Sequence, residues 1–419
     1  MSKLRLGIAL IAFVCVLANV QAAVIYVPDD YAKIQWAVDN ATADDTIIVR
    51  DGIYYENVVV NKRLTIKSEN GSANCIVDAS DSGSVFELRA DRIWLEGFTV
   101  RNSGWYEAGI KIISDNNIVV NNICENNENG IYLSDSNNNI ITNNSIHSNG
   151  DDGIHLSGSN NNTIANNNIY ENFDHGIHLY DSWNNFISNN SIYGNDDNGI
   201  YLYDSDNNII SNNNIRENSL YGIYLDSSGS NTIADNICEN NYDGINVRYY
   251  SNYNIISNNS IYGNSDDGIY LYNSNNNIIS NNSICGNGDY GIYVYSDYNT
   301  IANNSICGNY DDSIYLKYSD NNVITNNVCE NNDDGIDLYQ SNNNVISNNS
   351  IRENSVYGIY LYNSDDNTIT DNICEDNYDG IYLCDSDDNI ISNNNICGNS
   401  NDGIYLDSSG SNTITNNSI

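Results

Sequence analysis

The chain has 419 residues with 55 acidic against 15 basic side chains, a net charge of −40 at neutral pH, and 34 tyrosines. A charge of that size argues against nucleic acid and anionic membrane surfaces as partners and favours solubility and cation attraction. Abundant Asn, Ser and Gly would suit a disordered chain, but isoleucines at regular intervals give every short segment something apolar to bury.

Residues 1–22 read as a signal peptide. Lys3 and Arg5 precede an apolar run that ends at Val20-Gln21-Ala22, a small-residue cleavage site. The run is short for a span, and no later apolar stretch reaches spanning length. The expected product starts at Ala23 and is secreted or held at the cell surface; an uncleaved anchor is the alternative. Of the ten cysteines, Cys15 leaves with the leader. An odd number remains, so at least one thiol has no intramolecular partner even in a compartment that permits disulfides.

Residues 23–105 differ in texture from the remainder of the chain and read as a cap with the first irregular coils. Ile34, Ala37, Val38 and Ala41 stand at helical spacing and predict a short amphipathic helix. Strand signals come next at Thr46–Val49, Ile53–Val60, Leu64–Ile66, Cys75–Val77, Val85–Leu88 and Ile93–Val100. A distinct cap is expected at the start of a solenoid, whose first coil otherwise exposes an apolar end and an unpaired edge.

From 106 to 419 a single unit recurs. Its best copy is Gly199 to Tyr221, GIYLYDSDNNIISNNNIRENSLY, and its Gly-Ile start returns about every 22–23 residues from Gly109 to Gly403, with Ser313 once in place of glycine. Such a period marks a solenoid or array. In Ile200-Tyr201-Leu202-Tyr203 the aliphatics face one side and the tyrosines the other, and Ile210 and Ile215 supply two further inward positions. The expected fold is all-β, a right-handed parallel β-helix with three short strands per coil. Its third-strand core column is expected at Ile123, Ile146, Ile215, Ile237, Val328 and Ile373 with their counterparts. An Asn column is expected three residues later, at Asn126, Asn149, Asn218, Asn240 and Asn331, broken at Asp376. Stacked Asn side chains can hydrogen-bond as ladders. Cys124, Cys238, Cys285, Cys307, Cys329, Cys374 and Cys397 then fall in one outward column, where neighbouring coils lie within disulfide reach.

These repeats, with Ile34-Gln35 and Tyr54-Tyr55-Glu56-Asn57-Val58-Val59-Val60 in the cap, resemble the NosD-type β-helix proteins, also described as a carbohydrate-binding and sugar-hydrolase β-helix group. The texture is similar to surface proteins of methanogenic archaea. The resemblance covers nearly all of the chain beyond the leader. It implies the β-helix fold in a group that includes a copper-linked periplasmic factor, polysaccharide-active enzymes and surface proteins. The reading adopted is a structural, adhesive surface protein that binds a polysaccharide on its tyrosine face, with a polysaccharide lyase or glycoside hydrolase and periplasmic-type copper binding as the alternatives.

The candidate sites lie where copies depart from the repeat. All four histidines fall in two neighbouring coils, His147, His155, His175 and His178. His155 and His178 share an outward column that elsewhere holds tyrosine, and Asp151, Asp152 and Asp174 adjoin them. Imidazole with carboxylate suits copper or zinc, so His155, His178, His175 and Asp152 form a candidate metal site. A harmless His-for-Tyr exchange carried by coil duplication is the plain alternative. The same coils carry Phe173, Tyr180, Trp183 and Phe186, side chains that pack on sugar rings. Tyr180, Trp183, Tyr201, Tyr203, Tyr270, Tyr272, Tyr293 and Tyr295 are the expected glycan contacts, although stacked tyrosines also stabilise a sheet by themselves. Asp152, Asp243, Asp267, Asp312, Asp334, Asp379 and Asp402 line a corner that could hold calcium or be simply solvated. Basic residues on the repeats (Lys111, Arg216, Arg248, Lys317 and Arg352) show no catalytic pattern. Ile419 falls inside a coil with no cap in the sequence, which leaves two expectations: an end-to-end partner there, or a chain that is a fragment of something longer.

Overall fold

A computed structural model describes residues 22–419; the signal-peptide reading falls almost wholly outside them. The chain winds as a parallel β-helix whose three sheets contain 16, 18 and 16 strands. In the coil at Gly199 the strands are Ile200–Tyr203, Ile209–Ser211 and Asn214–Arg216, and each continues a different sheet, called here first, second and third. Each strand pairs in register with its counterparts one coil before and after, as His178, Tyr201 and Tyr224 do. Between strands the chain turns through left-handed residues, in this coil Asp204, Asn207, Asn212 and Glu217. Asn and Asp accept that conformation at low cost, which accounts for much of their abundance.

The core is a stack of aliphatic layers. Ile200, Leu202, Ile210 and Ile215 are fully buried, and the same places are buried in the neighbouring coils. Three buried Asn columns run alongside them. In one, Asn213 Nδ2 donates to Asn236 Oδ1 at 3.0 Å and to the Ile187 carbonyl at 3.0 Å, while its own Oδ1 accepts the Asn190 amide N–H at 3.0 Å. A buried Ser column joins Ser182, Ser205 and Ser228, each hydroxyl accepting an amide N–H from the preceding coil at 3.0 Å. These polar columns sit where the chain bends and its amides would otherwise be buried unpaired.

Two expected columns need correction. The inward third-strand residue is Cys124, Cys238, Cys329 and Cys374 in four coils, whereas Ile237 and Ile373 are exposed and Ile123 and Val328 half-buried. The Asn ladder likewise runs through Asn127, Asn241, Asn332 and Asn377, without a break at Asp376. Asn126, Asn240, Asn331 and Asp376 are instead left-handed turn residues. The cause is strand parity. Two ladder asparagines, such as Asn122 and Asn127, fix the strand between them, so the second residue after Asn122 must point inward. A thiol is apolar enough to take that place. Only Cys285, Cys307 and Cys397 of the expected cysteine column face outward. Cys285 and Cys307 form a disulfide across adjacent coils with Cα atoms 4.7 Å apart.

The start of the coil stack is covered by the helix Ile34–Asn40, which packs against strands Val24–Val27, Thr46–Val49 and Val58–Val60 with Ile34, Ala37 and Val38 buried. Both helix ends are tied to the coils beneath. Glu56 accepts the amides of Ile34 and Gln35 at 3.0 and 3.1 Å, and Lys62 Nζ donates to the carbonyls of Val38, Asp39 and Ala41. An anion at the first turn and a cation at the last also complement the helix dipole.

Candidate functional site

The corner that precedes the first-sheet strand holds Asp152, His175, Asn198, Tyr221, Asp243 and Asp267 in successive coils. These side chains serve the backbone: Asp152 Oδ1 accepts the amide of His175 at 3.1 Å, and Asn198 Oδ1 that of Tyr221 at 3.1 Å. The second oxygen of Asp152 is free to turn toward the outward face of the sheet. It meets His155 Nδ1 at 2.9 Å and His178 Nδ1 at 3.0 Å.

This arrangement fixes the imidazoles. Burial would raise the Asp152 carboxyl, but bonds from His155 and His178 outweigh it and hold the group well below the usual range. An ionised carboxylate only accepts, so both Nδ1 atoms donate to it, and in a neutral ring held this way Nε2 is the acceptor. His178 Nε2 is sealed from solvent and has no hydrogen-bond partner. The rings of His155 and His178 lie 4.5 Å apart, and Tyr201 stacks on His178 at 4.9 Å. His175 stands edge-on to His178 at 5.0 Å. Burial lowers His175 to about 4, and burial together with Asp152 and Asp197 pushes Asp174 up to about 7. Three of the four histidines therefore converge. His147 does not: it lies on the third sheet, stacked on Tyr170 at 4.7 Å, because its strand faces another side of the coil.

From Tyr201 the aromatic column continues. Tyr201 and Tyr224 stack at 4.9 Å, Tyr180 and Tyr203 at 5.5 Å, Tyr270 and Tyr293 meet at 5.0 Å, and Tyr272 and Tyr295 at 5.2 Å. Tyr180 and Tyr203 are exposed, as is Trp183, whose Nε1 donates to the Asp204 carbonyl at 3.1 Å. Phe173 and Phe186 do not join this group; Phe186 belongs to the second sheet and Phe173 to the turn after the third.

Two features escaped sequence reasoning. Tyr170, Tyr193 and Arg216 extend the His147 stack along the third sheet, with Tyr rings 5.1 Å apart and the guanidinium 4.4 Å from Tyr193. The residue after each third-strand Ile was the available signal. The second is a cavity of about 190 Å³ lined by Asp243, Arg248, Asp266, Asp267, Tyr270, Asp289 and Tyr293. Arg248 lies over Tyr270 at 4.8 Å and Tyr221 at 5.4 Å. Burial pushes Asp243 up to about 6 and Asp267 up to about 9. A larger cavity of about 440 Å³ lies by the cap, between Tyr26, Lys67, Glu69 and Glu96.

Comparison with known proteins agrees with this architecture. Residues 37–220 match the family described as periplasmic copper-binding protein (NosD). Over 73 residues the chain is 45% identical to a cell surface glycoprotein of Methanothermus fervidus, a stretch that spans 17% of this chain and 12% of that protein's length. Among solved structures, a DFA-IIIase from Arthrobacter chlorophenolicus aligns with a TM-score of 0.50 at 13% identity, covering 69% of this chain and 86% of the other. A mannuronan C-5 epimerase A-module from Azotobacter vinelandii aligns at 0.45 and 16% identity, covering 92% and 94%. Likeness at this identity speaks to fold alone. Residues 175–299 and 290–419, together more than half of the sequence, match the family described as right handed beta helix region, and the chain belongs to that family.

Proposed function

We propose that this protein is an extracellular or cell-surface β-helix, structural and adhesive in role, that holds an extended polysaccharide along the outward face of its first sheet. The observation that carries this reading is the aromatic column itself. Rings repeat at about one per coil from His178 through Tyr201 and Tyr224 and resume at Tyr270, Tyr293 and Tyr315, with the exposed Tyr180 and Tyr203 beside them. Stacked rings with phenol groups present an apolar face and polar edges, which suits sugar rings. The similarity to a cell surface glycoprotein supports the location, and among the described residues no helix is long and apolar enough to cross a membrane. The test is titration of the purified chain with soluble polysaccharides. Binding should be lost when Tyr201 and Tyr203 are both changed to Ala, and binding unchanged by that double substitution would refute the reading.

One observation favours a second reading, copper binding at His155 and His178. Asp152 holds both Nδ1–H groups, as carboxylates behind metal-bound imidazoles do, and this leaves the buried, unpartnered Nε2 of His178 available. Neutral imidazoles suit copper, so the residues fit the ion named by the matched family. His155 and His178 would hold it, and the copper would supply a Lewis-acid or redox centre. Metal analysis of the wild type against a His155→Ala, His178→Ala double variant tests it; equal copper content in both would end this reading.

A further inference from the structure

Four groups among the described residues bring three His or Asp ligand atoms within 4.8 Å of one another. Three of them contain or adjoin a basic side chain of the protein. Asp152 is shared by two groups that include His155 with His178, or His175 with Asp174. Asp243, Asp266 and Asp267 line the same cavity as Arg248. The fourth is Asp312, Asp334 and Asp337, and it differs. Among the described residues no Lys, Arg or His forms an ion pair with any of these three; the nearest basic residue along the strand, Lys317, points its Nζ over the ring of Tyr339.

The third carboxylate is also out of place. Asp337 stands in register with Tyr315 on one side and Tyr360 on the other, so it interrupts the tyrosine column. Its Oδ1 is sealed from solvent and has no hydrogen-bond partner. Asp312 and Asp334 are buried, and one oxygen of each is already committed to the ladder. Asp312 Oδ1 accepts the Asp334 amide at 3.0 Å, and Asp334 Oδ1 accepts the Tyr357 amide at 2.6 Å. One carboxylate oxygen from each of Asp312, Asp334 and Asp337 lies within 4.8 Å of the other two. Three like charges packed in a poorly solvated corner are strongly unfavourable unless they are neutralised. The groups around Asp152 have imidazoles within ion-pair distance and the Asp243 group shares its cavity with Arg248, whereas no basic side chain among the described residues pairs with this one.

We propose that Asp312, Asp334 and Asp337 form a calcium site. All three donors are carboxylate oxygens, the hard ligands that calcium prefers, and the set lacks the nitrogen or sulfur that a transition metal would select. The ion would bridge two successive coils and the outward strand of the second, joining the corner ladder to the tyrosine face. The site is separate from the His155 and His178 cluster and does not depend on how the aromatic face is used.

The test uses the whole purified chain, stripped with EDTA and titrated with calcium chloride or magnesium chloride. Equilibrium dialysis reads stoichiometry, and the thermal midpoint reads linkage to folding. The expected result is one calcium per chain with a raised midpoint, and weaker binding of magnesium, which requires a smaller and stricter cage. Asp337→Tyr restores the residue type found in the neighbouring coils and should fold. It is expected to weaken calcium binding by at least ~10-fold, the scale that even a change behind the direct ligands costs a metal site. Asp312→Asn keeps the ladder acceptor and should also weaken binding, whereas Asp267→Asn should not. Full calcium affinity in Asp337→Tyr, equal loss in Asp267→Asn, or a preference for magnesium would each overturn the assignment.

Discussion

Asp152 and Asp312 occupy the same corner of the coil, each with one oxygen on the next coil's amide. Around Asp152 the outward positions are His155 and His178; around Asp312 they are Tyr315 and Asp337. In the first region the carboxylate's charge is met by imidazoles of the chain itself, and in the second it is met by more carboxylate. The backbone and the Asn ladders hardly differ between them, and the inward positions differ mainly where Ser313 and Cys329 replace Gly and Ile. The scaffold therefore tolerates opposite electrostatics at one position, and outward substitutions alone decide which kind of ligand a coil can attract.

The largest effect expected is at the first corner. Asp152→Leu removes the acceptor of both Nδ1 atoms and of the His175 amide, and should cost about 3–5 kcal/mol in denaturant unfolding. Asp312→Asn, measured in EDTA, should be neutral or stabilising, since it relieves like-charge crowding and keeps its hydrogen bond. Equal destabilisation by the two would break the contrast.

The second region has its own packing adjustment. At Gly199 an added Cβ would lie 2.4 Å from Ile215 Cγ2 of the same coil, whereas at Gly222 and Gly358, whose coils carry Cys238 and Cys374 at that place, the thiol residue's Cβ lies 3.4 Å away. Ser313 is accommodated because its own coil carries Cys329 in place of Ile, and the Ser313 hydroxyl accepts from Asn332 Nδ2 at 2.6 Å. Cys329→Ile should destabilise by about 1–3 kcal/mol, and Ser313→Gly in the same chain should recover most of that loss. A double variant no better than the single would refute this pairing.

Between the two regions, Asp243 and Asp267 carry carboxyls raised by burial to about 6 and about 9. The native state then binds protons that the unfolded chain releases near pH ~4, so their stabilisation is complete below that pH and is lost as pH rises through the folded values. The denaturation midpoint in EDTA should fall between about pH 5 and pH 9, and Asp267→Asn should flatten that slope. His175, lowered to about 4 by burial, acts in the opposite sense, and its contribution is lost as pH drops below ~6.5. The smallest effect belongs to the column itself: Tyr201→Ala removes stacking on His178 and Tyr224 and should cost about 0.5–1.5 kcal/mol by thermal unfolding.

Most of the fold was legible because one unit repeats and its alternation is explicit in Ile200-Tyr201-Leu202-Tyr203. Parity at Ile123-Cys124 and Ile237-Cys238 was not, since Ile and Cys are both apolar and only the buried Asn pairs reveal which faces inward. The adjacency of His155 and His178 followed from register alone. That Asp152 accepts from both rings depends on how a corner side chain divides its two oxygens, which spacing does not encode. The cavity at Arg248 was overlooked because its lining residues, Asp243, Asp266, Tyr270 and Asp289 among them, are spread over successive coils and meet only when these stack.

The Asn ladders carry one more consequence. Each asparagine bonds mainly to its counterparts one coil away, so the two faces exposed by excising a whole coil would match each other. Length in this protein is thus quantised: the chain can be shortened or extended by entire coils without redesigning a joint. One exception is the disulfide between Cys285 and Cys307, whose two coils are joined covalently and must be gained or lost together, whereas Ser313 and Cys329 share a coil and travel with it.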